Sequence, residues 1–183
     1  MEFSNWQQFE ALLYELSKQK LEDKKAAQLI SPASYIEGTT RANKNVTGWG
    51  GWAAVDVDDH DFKGDLKNEL RASFGDFCYV CYSTASSTLE KPKFRLVFPL
   101  TSKVAVADIK RFWWALNTEL GSIGDKQTKD LSRMYYIPAT YNNANNFIFS
   151  NPGDHIDPML LISRHPMPEK TKTIFDGMPD SMK

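Results

Sequence analysis

Two aspartates, Asp56 and Asp58, end a short apolar run over residues 52–58. Alternate residues of a β-strand project from the same face, so this run holds the two carboxylates side by side. Mg²⁺ and Mn²⁺ take oxygen ligands of this kind together with substrate phosphates. Two such ions can activate an attacking hydroxyl and stabilise a leaving pyrophosphate. The pair therefore indicates metal-dependent phosphate chemistry; the alternative is an acidic turn that continues through Asp59 and Asp61 and caps the next helix.

A row of cations follows further along the chain. Lys91, Lys93 and Arg95 alternate with apolar residues, so they share one face of an extended chain. Such a row suits a phosphate chain or a triphosphate, and arginine makes the best forked phosphate contacts. The alternative is an amphipathic strand with its charged face in water. The Ser/Thr-rich loop before this row offers hydroxyls and backbone amides that also bind phosphate, and its candidates are Ser86, Ser87 and Thr88.

A polar loop later in the chain carries two further acids, Asp125 and Asp130, shortly before Arg133. A catalytic metal site with paired aspartates usually needs a third carboxylate from elsewhere in the chain, and either acid can supply it. Arg133 can hold a phosphate or fix the loop through an ion pair. The alternative is an ordinary surface pair between Asp130 and Arg133, which contributes little to stability.

The elements that position these residues follow from the apolar pattern. Helical spacing predicts helices over residues 6–16, 63–74 and 104–120. Apolar runs predict strands over residues 52–58, 77–83, 93–98, 133–139 and 147–150. Residues 31–51 are polar and turn-rich, and prolines interrupt the chain after Asn151. Helices and strands are interspersed, which predicts an α+β domain with one sheet backed by helices.

Composition limits the classes of function. The chain has 183 residues and a net charge of −1, which excludes binding of duplex DNA by bulk charge and leaves only a local patch for nucleic acid. No apolar run approaches the length of a membrane span, and the first residues do not form a secretory signal; we expect a cytoplasmic protein. One Cys-x-x-Cys pair, Cys78 and Cys81, cannot complete a four-ligand zinc site, so we expect two buried, reduced thiols.

Taken in order, these motifs resemble the primase-polymerase family of phages and plasmids, within the archaeo-eukaryotic primase superfamily. The resemblance covers residues 41–138. The first motif is the strand that ends in Asp-x-Asp, over residues 55–58. The second is Lys-Pro-x-x-Arg at residues 91–95, followed by Pro99-Leu100. The third is the acidic loop from residue 125, which leads into Ser-Arg and an aromatic strand over residues 132–138.

The resemblance implies a sheet like that of an RNA-recognition motif, with two divalent ions on Asp56, Asp58 and Asp125 and with Asp130 as second choice. It also implies a nucleoside triphosphate held by basic residues and by the Ser/Thr loop. The implied nucleotide-binding residues are Arg95, Arg133, Ser86, Ser87, Thr88, Lys91, Lys93 and Arg41, the last in a Gly-x-x-Arg context beginning at Gly38. Ser87 stands where the family has a histidine that contacts the triphosphate, and serine can hydrogen-bond phosphate but cannot carry charge.

The leading hypothesis is nucleotidyl transfer from (d)NTPs on a single-stranded DNA template. One alternative is a relative that binds single-stranded DNA or an origin without catalysis. Another is a replication-initiator endonuclease, which usually needs a His-x-His pair that this sequence lacks. We expect a monomeric catalytic domain over residues 1–164, with residues 165–183 as a tail or linker to a further domain, for which a helicase is the candidate. Exposed aromatics can stack on bases; the candidates are Trp49, Trp52, Tyr135 and Tyr136.

Overall fold

The structure, a computed structural model, describes residues 5–169. Its helices are α1 Trp6–Ser17, α2 Leu66–Phe74, α3 Ile109–Glu119 and α4 Pro158–Arg164. Its strands are β1 Lys20–Leu21, β2 Leu29–Ile30, β3 Ala33–Tyr35, β4 Val46–Trp49, β5 Trp52–Val57, β6 Tyr79–Ser83, β7 Phe94–Pro99, β8 Val104–Ala105, β9 Tyr135–Tyr136, β10 Thr140–Tyr141 and β11 Ile148–Asn151. No helix within the described range is long and apolar enough to cross a membrane.

The central sheet has four strands in the order β11-β6-β7-β5. All of its pairs are antiparallel, and β7 lies between β5 and β6. This register places Asp56 directly opposite Arg95, and Tyr82 opposite Arg95 on the other side. Three smaller sheets surround it, with the orders β3-β4-β8, β2-β9 and β1-β10.

Each face of the central sheet packs into a different apolar core, because side chains alternate along a strand. Ala53, Val55 and Val57 of β5 belong to the larger core, which α2, α3 and α4 complete. Trp52 and Ala54 belong to the smaller core, with Phe9 and Leu13 of α1 and with Tyr135. The alternation therefore directs Asp56, the next residue of the second set, to the face that α1 covers.

The predicted α+β class is confirmed, and several element bounds differ from the prediction. Helix α3 begins at Ile109 because Val104 and Ala105 instead pair with β4 and a 3₁₀ turn follows them. The predicted strand over residues 133–139 is reduced to the two residues of β9.

Helix α4 was not predicted, because the prolines after Asn151 were interpreted as interruptions of the chain. Pro158 instead occupies the first turn of the helix, where its missing N–H costs nothing. Asp157 caps this end by accepting hydrogen bonds from the backbone of Met159 and Leu160. The expected basic tail continues into residues 170–183, which lie outside the described residues.

Both cysteines are free thiols, as expected. Cys81 is fully buried in the larger core, and burial raises its pKa well above the ordinary thiol value. Cys78 is half-buried, and burial and the nearby Glu10 raise its pKa as well. Neither thiol is therefore primed for reaction as a thiolate.

Candidate nucleotide-binding site

A pocket opens at the end of the central sheet where β5 and β6 finish. Six of the predicted metal-binding and nucleotide-binding residues line it, and we call it the carboxylate pocket: Asp56, Asp58, Ser86, Arg95, Asp125 and Arg133. Asp56 and Arg95 come from the two strands of one antiparallel pair, and the other four come from three separate loops. The fold therefore gathers candidates that are far apart in sequence.

Asp56 is the buried acid of this pocket, with 7% of its surface exposed. Its Oδ1 accepts a hydrogen bond from the Arg95 Nε, and its Oδ2 lies 3.7 Å from the Arg133 Nη2. A buried carboxylate requires pairing of this kind, because removal from water penalises an isolated charge. Asp56 is thus tightly paired through one oxygen and loosely paired through the other.

Arg95 is held as firmly as Asp56. Its Nη1 donates to the Tyr136 carbonyl oxygen at 2.6 Å and to the Tyr82 hydroxyl at 3.1 Å. Its guanidinium carbon lies 4.8 Å from the ring centre of Tyr135 and 5.4 Å from that of Tyr82. Burial lowers the pKa of Arg95, but Tyr82 and Asp56 raise it more, so the residue stays charged. Arg95 therefore anchors the pocket wall as well as lining it.

Asp58 is different because β5 ends at Val57. Its side chain is half-exposed and lies 3.9 Å from the Lys93 Nζ. The neighbouring Asp59 pairs with Lys91 at 3.1 Å in the same way. The expected row of cations on one strand face is therefore not formed: Lys91 and Lys93 precede β7, and only Arg95 lies within it.

His60 is a positioning residue that the sequence did not single out. Its Nδ1 accepts from the Phe62 backbone N–H at 3.1 Å, so its Nε2 carries the hydrogen and donates to the Pro92 carbonyl oxygen at 2.8 Å. Its ring also packs against Phe62 and Phe94. His60 thereby ties the acidic loop after β5 to the basic loop before β7. No pattern in the sequence indicates this contact, because the two loops meet only in the folded chain.

Asp125 joins the pocket through a backbone contact: its N–H donates to the Asp56 carbonyl oxygen at 2.8 Å. Its carboxylate accepts from the Gln127 backbone at 2.9 Å. Gly124, just before it, donates to the Asn117 Oδ1 of α3 at 2.7 Å. Asp130, in contrast, is exposed, and the pocket lining does not include it. Of these two acids, Asp125 alone therefore lines the carboxylate pocket.

The Ser/Thr loop contributes to the pocket through Ser86, while Ser87 and Thr88 support the loop itself. Ser87 is 1% exposed. Its hydroxyl oxygen accepts from the Lys93 backbone at 3.1 Å, and that of Thr88 accepts from the Lys91 backbone at 3.0 Å. The residue that stands in place of the family histidine therefore points into its own turn.

Arg41 also has a supporting position. Its Nε donates to the Ser132 carbonyl oxygen at 2.9 Å, next to Arg133, and the residue lies outside the pocket lining. Tyr136, a predicted stacking candidate, lines the pocket, and so do Lys24 and Tyr141, which the sequence missed. Lys24 belongs to a 3₁₀ turn and Tyr141 to a two-residue strand. Elements this short leave no periodic pattern to recognise.

Comparison with known proteins gives the family. The model of the VapE N-terminal domain matches residues 15–169, most of the chain. The chain belongs to the VapE N-terminal domain family. All residues of the carboxylate pocket lie within the matched range.

The AEP domain of the cyanophage S-2L primase-polymerase (PrimPol) is a solved structure similar to this VapE N-terminal domain. It is 15% identical, with 75% of this chain and 69% of that chain covered at a TM-score of 0.49. No curated protein matches the chain. The family match agrees with the resemblance that the motifs indicate.

The donor atoms of this VapE N-terminal domain fit a divalent cation in kind. Asp56, Asp58 and Asp125 line one pocket and offer the carboxylate oxygens that Mg²⁺ and Mn²⁺ prefer. Within residues 5–169, however, no three His, Cys, Asp or Glu side chains are gathered closely enough to hold a metal ion. The three carboxylates therefore share a pocket without forming a ready-made metal centre.

Proposed function

We propose that this domain transfers nucleotidyl groups from nucleoside triphosphates onto a strand paired with a single-stranded DNA template. One observation carries the proposal: the carboxylate pocket brings three acids, Asp56, Asp58 and Asp125, together with Arg95 and Arg133. Acids that can hold divalent ions and cations that can hold phosphates are the two parts that phosphoryl chemistry requires.

The reaction forms a bond between the 3′ oxygen of one nucleotide and the α-phosphorus of the next. The bond from that phosphorus to the bridging oxygen of the β-phosphate breaks, pyrophosphate leaves, and the hydroxyl proton passes to solvent. Arg133 is the best placed phosphate ligand, since its side chain is 30% exposed and only loosely paired with Asp56. Ser86 and Lys24 line the same pocket and can donate to further phosphate oxygens.

Asp56, Asp58 and Asp125 would hold the divalent ions. Bound ions of this kind lower the pKa of an attacking hydroxyl and offset the charge of a leaving pyrophosphate. Arg95 keeps Asp56 in place by engaging Oδ1, whereas Oδ2 lies 3.7 Å from Arg133, beyond hydrogen-bond distance. Asp58 and Asp125 are accessible enough to change partners without unfolding the sheet.

The charges of the pocket explain why metal and nucleotide should bind together. Three carboxylates face three cations, Lys24, Arg95 and Arg133, so the empty pocket has little net attraction for a triphosphate. A divalent cation makes the local charge positive, and a triphosphate can then bind both the cation and the arginines. We therefore expect metal-dependent nucleotide affinity.

A second candidate function is binding of single-stranded DNA without catalysis. The buried ion pair between Asp56 and Arg95 favours it, because this pair commits one carboxylate oxygen to a cation of the protein itself. The burial of Ser87 favours it as well. Both functions use the same pocket, so only a measurement of synthesis separates them.

The deciding experiment incubates the 183-residue chain with a single-stranded DNA template and labelled nucleotides, with Mg²⁺, Mn²⁺ or EDTA, and with or without an annealed primer. Asp58→Asn removes one charge from the pocket, and Asp59→Asn is the matched control because Asp59 pairs with Lys91 outside it. We expect labelled products that require metal, are lost in Asp58→Asn and persist in Asp59→Asn. Template binding without any product would establish the non-catalytic alternative.

A further inference from the structure

The small sheet β2-β9 has an unusual outer face. Ile30 and Tyr135 are opposite each other and face the smaller core, where Tyr135 is 1% exposed. The next pair, Leu29 and Tyr136, therefore projects away from that core. Both of its members are exposed, Leu29 by 44% and Tyr136 by 37%. An outward pair in an antiparallel sheet is usually polar, so an apolar pair here needs a reason.

The position of Tyr136 gives a reason for this exposed pair. Its carbonyl oxygen accepts hydrogen bonds from Arg95 and from the Tyr82 hydroxyl, which fixes this strand to the central sheet. Tyr136 is also one of the residues that line the carboxylate pocket, together with Asp58 and Arg133. An exposed ring is thus held rigidly at the edge of a pocket suited to phosphates.

The other three aromatic residues predicted as stacking candidates are buried. Trp49 and Tyr135 are each 1% exposed and Trp52 is 9% exposed. All three pack inside the two cores. Of the four candidates, Tyr136 alone presents its ring to solvent.

We propose that Tyr136 and Leu29 form a platform for the base of the nucleotide whose phosphates occupy the carboxylate pocket. This inference rests on the proposed function. A nucleobase has a flat apolar face that stacks on an aromatic ring, and stacking of this kind tolerates any base. The incoming nucleotide is the assigned occupant because Tyr136 lines the same pocket as Arg133, so one small molecule can reach both.

The test compares ATP and dATP, which carry a base, with inorganic tripolyphosphate, which does not. Calorimetric titrations with Mg²⁺ use the full chain and the variants Tyr136→Ala, Tyr136→Phe and Leu29→Ala. Leu160→Ala is the matched control, because Leu160 is 58% exposed and belongs to α4, on the opposite face of the sheet. Thermal melts confirm that each variant folds, as expected for exposed side chains.

We expect Tyr136→Ala to weaken ATP and dATP binding by about 5- to 150-fold, the loss for one stacked base. Tripolyphosphate binding should stay unchanged, and Tyr136→Phe and Leu160→Ala should bind as the wild type does. Leu29→Ala should give a smaller loss of the same kind. This pattern would stand even if the domain incorporates no nucleotide, in which case only the proposed catalysis fails.

Three results would overturn the platform. If Tyr136→Ala binds ATP as the wild type does, the base lies elsewhere and the phosphate pocket remains. If the variant loses affinity for an oligothymidylate but not for ATP, the ring serves the template strand instead. If the wild type binds neither ATP nor tripolyphosphate with Mg²⁺, both the platform and the proposed function fail.

Discussion

Asp56 and Arg95 are direct cross-strand partners on β5 and β7, and they form an ion pair with 7% and 6% of their surfaces exposed. Removing one member of a buried pair leaves the other charge without a partner, which costs more than the pair itself contributes. The two residues therefore have a structural role that is separate from any chemistry in the pocket.

We predict that Asp56→Ala lowers the free energy of unfolding by about 3–5 kcal/mol, because Arg95 would be left buried and unpaired. Asp58→Ala should change it by less than about 1 kcal/mol, because that side chain is half-exposed and lies 3.9 Å from Lys93. Urea denaturation of both variants measures the difference. Equal stabilities would show that Arg95 finds another partner, and loss of activity in an Asp56 variant has meaning only after this measurement.

A second prediction separates the two acids of the loop before Arg133. Asp125→Asn should reduce metal-dependent incorporation by about 10²-fold or more, the effect of several kcal/mol of lost charge stabilisation. Asparagine can still accept the hydrogen bond from the Gln127 backbone, so the fold should persist. Asp130→Asn should be nearly silent, because Asp130 is exposed and outside the pocket lining. The opposite order of effects in primer-extension assays would assign the third carboxylate to Asp130.

The strand pattern predicted part of this site for a clear reason. The run over residues 52–57 is apolar apart from Asp56, which predicted a strand, and strand geometry predicted that Asp56 and Asp58 share a face. It did not show that the strand ends at Val57, which leaves Asp58 in the following loop. It also did not show that β7 is buried on both faces, which makes Arg95 an internal anchor.

Other parts of the site depend on contacts that no local pattern encodes. Asp125 lies in the pocket because its loop is held by the contact of Gly124 with Asn117 of α3 and by its own N–H, which donates to the Asp56 carbonyl oxygen. Tyr136 lies on a two-residue strand whose partner, Leu29, is distant in the sequence. Pairing of such short strands is decided by tertiary packing, so the strand predicted over residues 133–139 revealed neither its two-residue length nor its partner.

Gly124 gives the third prediction. An added Cβ there would lie 2.5 Å from the Asn117 Oδ1 and 2.6 Å from the Val55 Cγ1, and the loop that carries Asp125 would have to move. We expect Gly124→Ala to cost about 1–3 kcal/mol of stability by overpacking and to lower incorporation. Gly51→Ala is the matched control, because nothing lies within 4 Å of its added Cβ. Thermal melts and extension assays on both variants check this. If Gly124→Ala changes neither stability nor incorporation, incorporation does not depend on the position of this loop.

The fourth prediction concerns alkaline pH. Burial raises the pKa of Tyr79 to about 12 from the ordinary 10.0. Below pH 10.0 both the folded and the unfolded chain keep this proton, so the stability that Tyr79 contributes is fully present. As pH rises toward about 12 the unfolded chain loses the proton first, so the stability falls. Urea midpoints across this range should fall less steeply in Tyr79→Phe; an identical slope would exclude Tyr79 as a contributor.

The last prediction contrasts the two arginines of the pocket, which differ in burial and in pairing. Arg95 is fixed by Asp56, Tyr136 and two aromatic rings, whereas Arg133 is 30% exposed on its side chain and only 3.7 Å from Asp56. Arg133→Ala should therefore weaken Mg²⁺-dependent tripolyphosphate binding by about 10- to 150-fold, the loss of one charge-assisted hydrogen bond. Its stability should change little.

Arg164→Ala is the matched control for that variant, because it also removes one positive charge. Arg164 of α4 pairs with Glu119 of α3, outside the pocket. Arg133→Lys should recover part of the affinity, because lysine keeps the charge but loses the forked geometry. Arg95→Lys should instead lower stability, because a single ammonium cannot replace the contacts of Nε and Nη1 together. If Arg133→Ala binds tripolyphosphate as the wild type does in the same titration, Arg133 is not a phosphate ligand. Its role in the pocket would then be limited to the loose contact with Asp56.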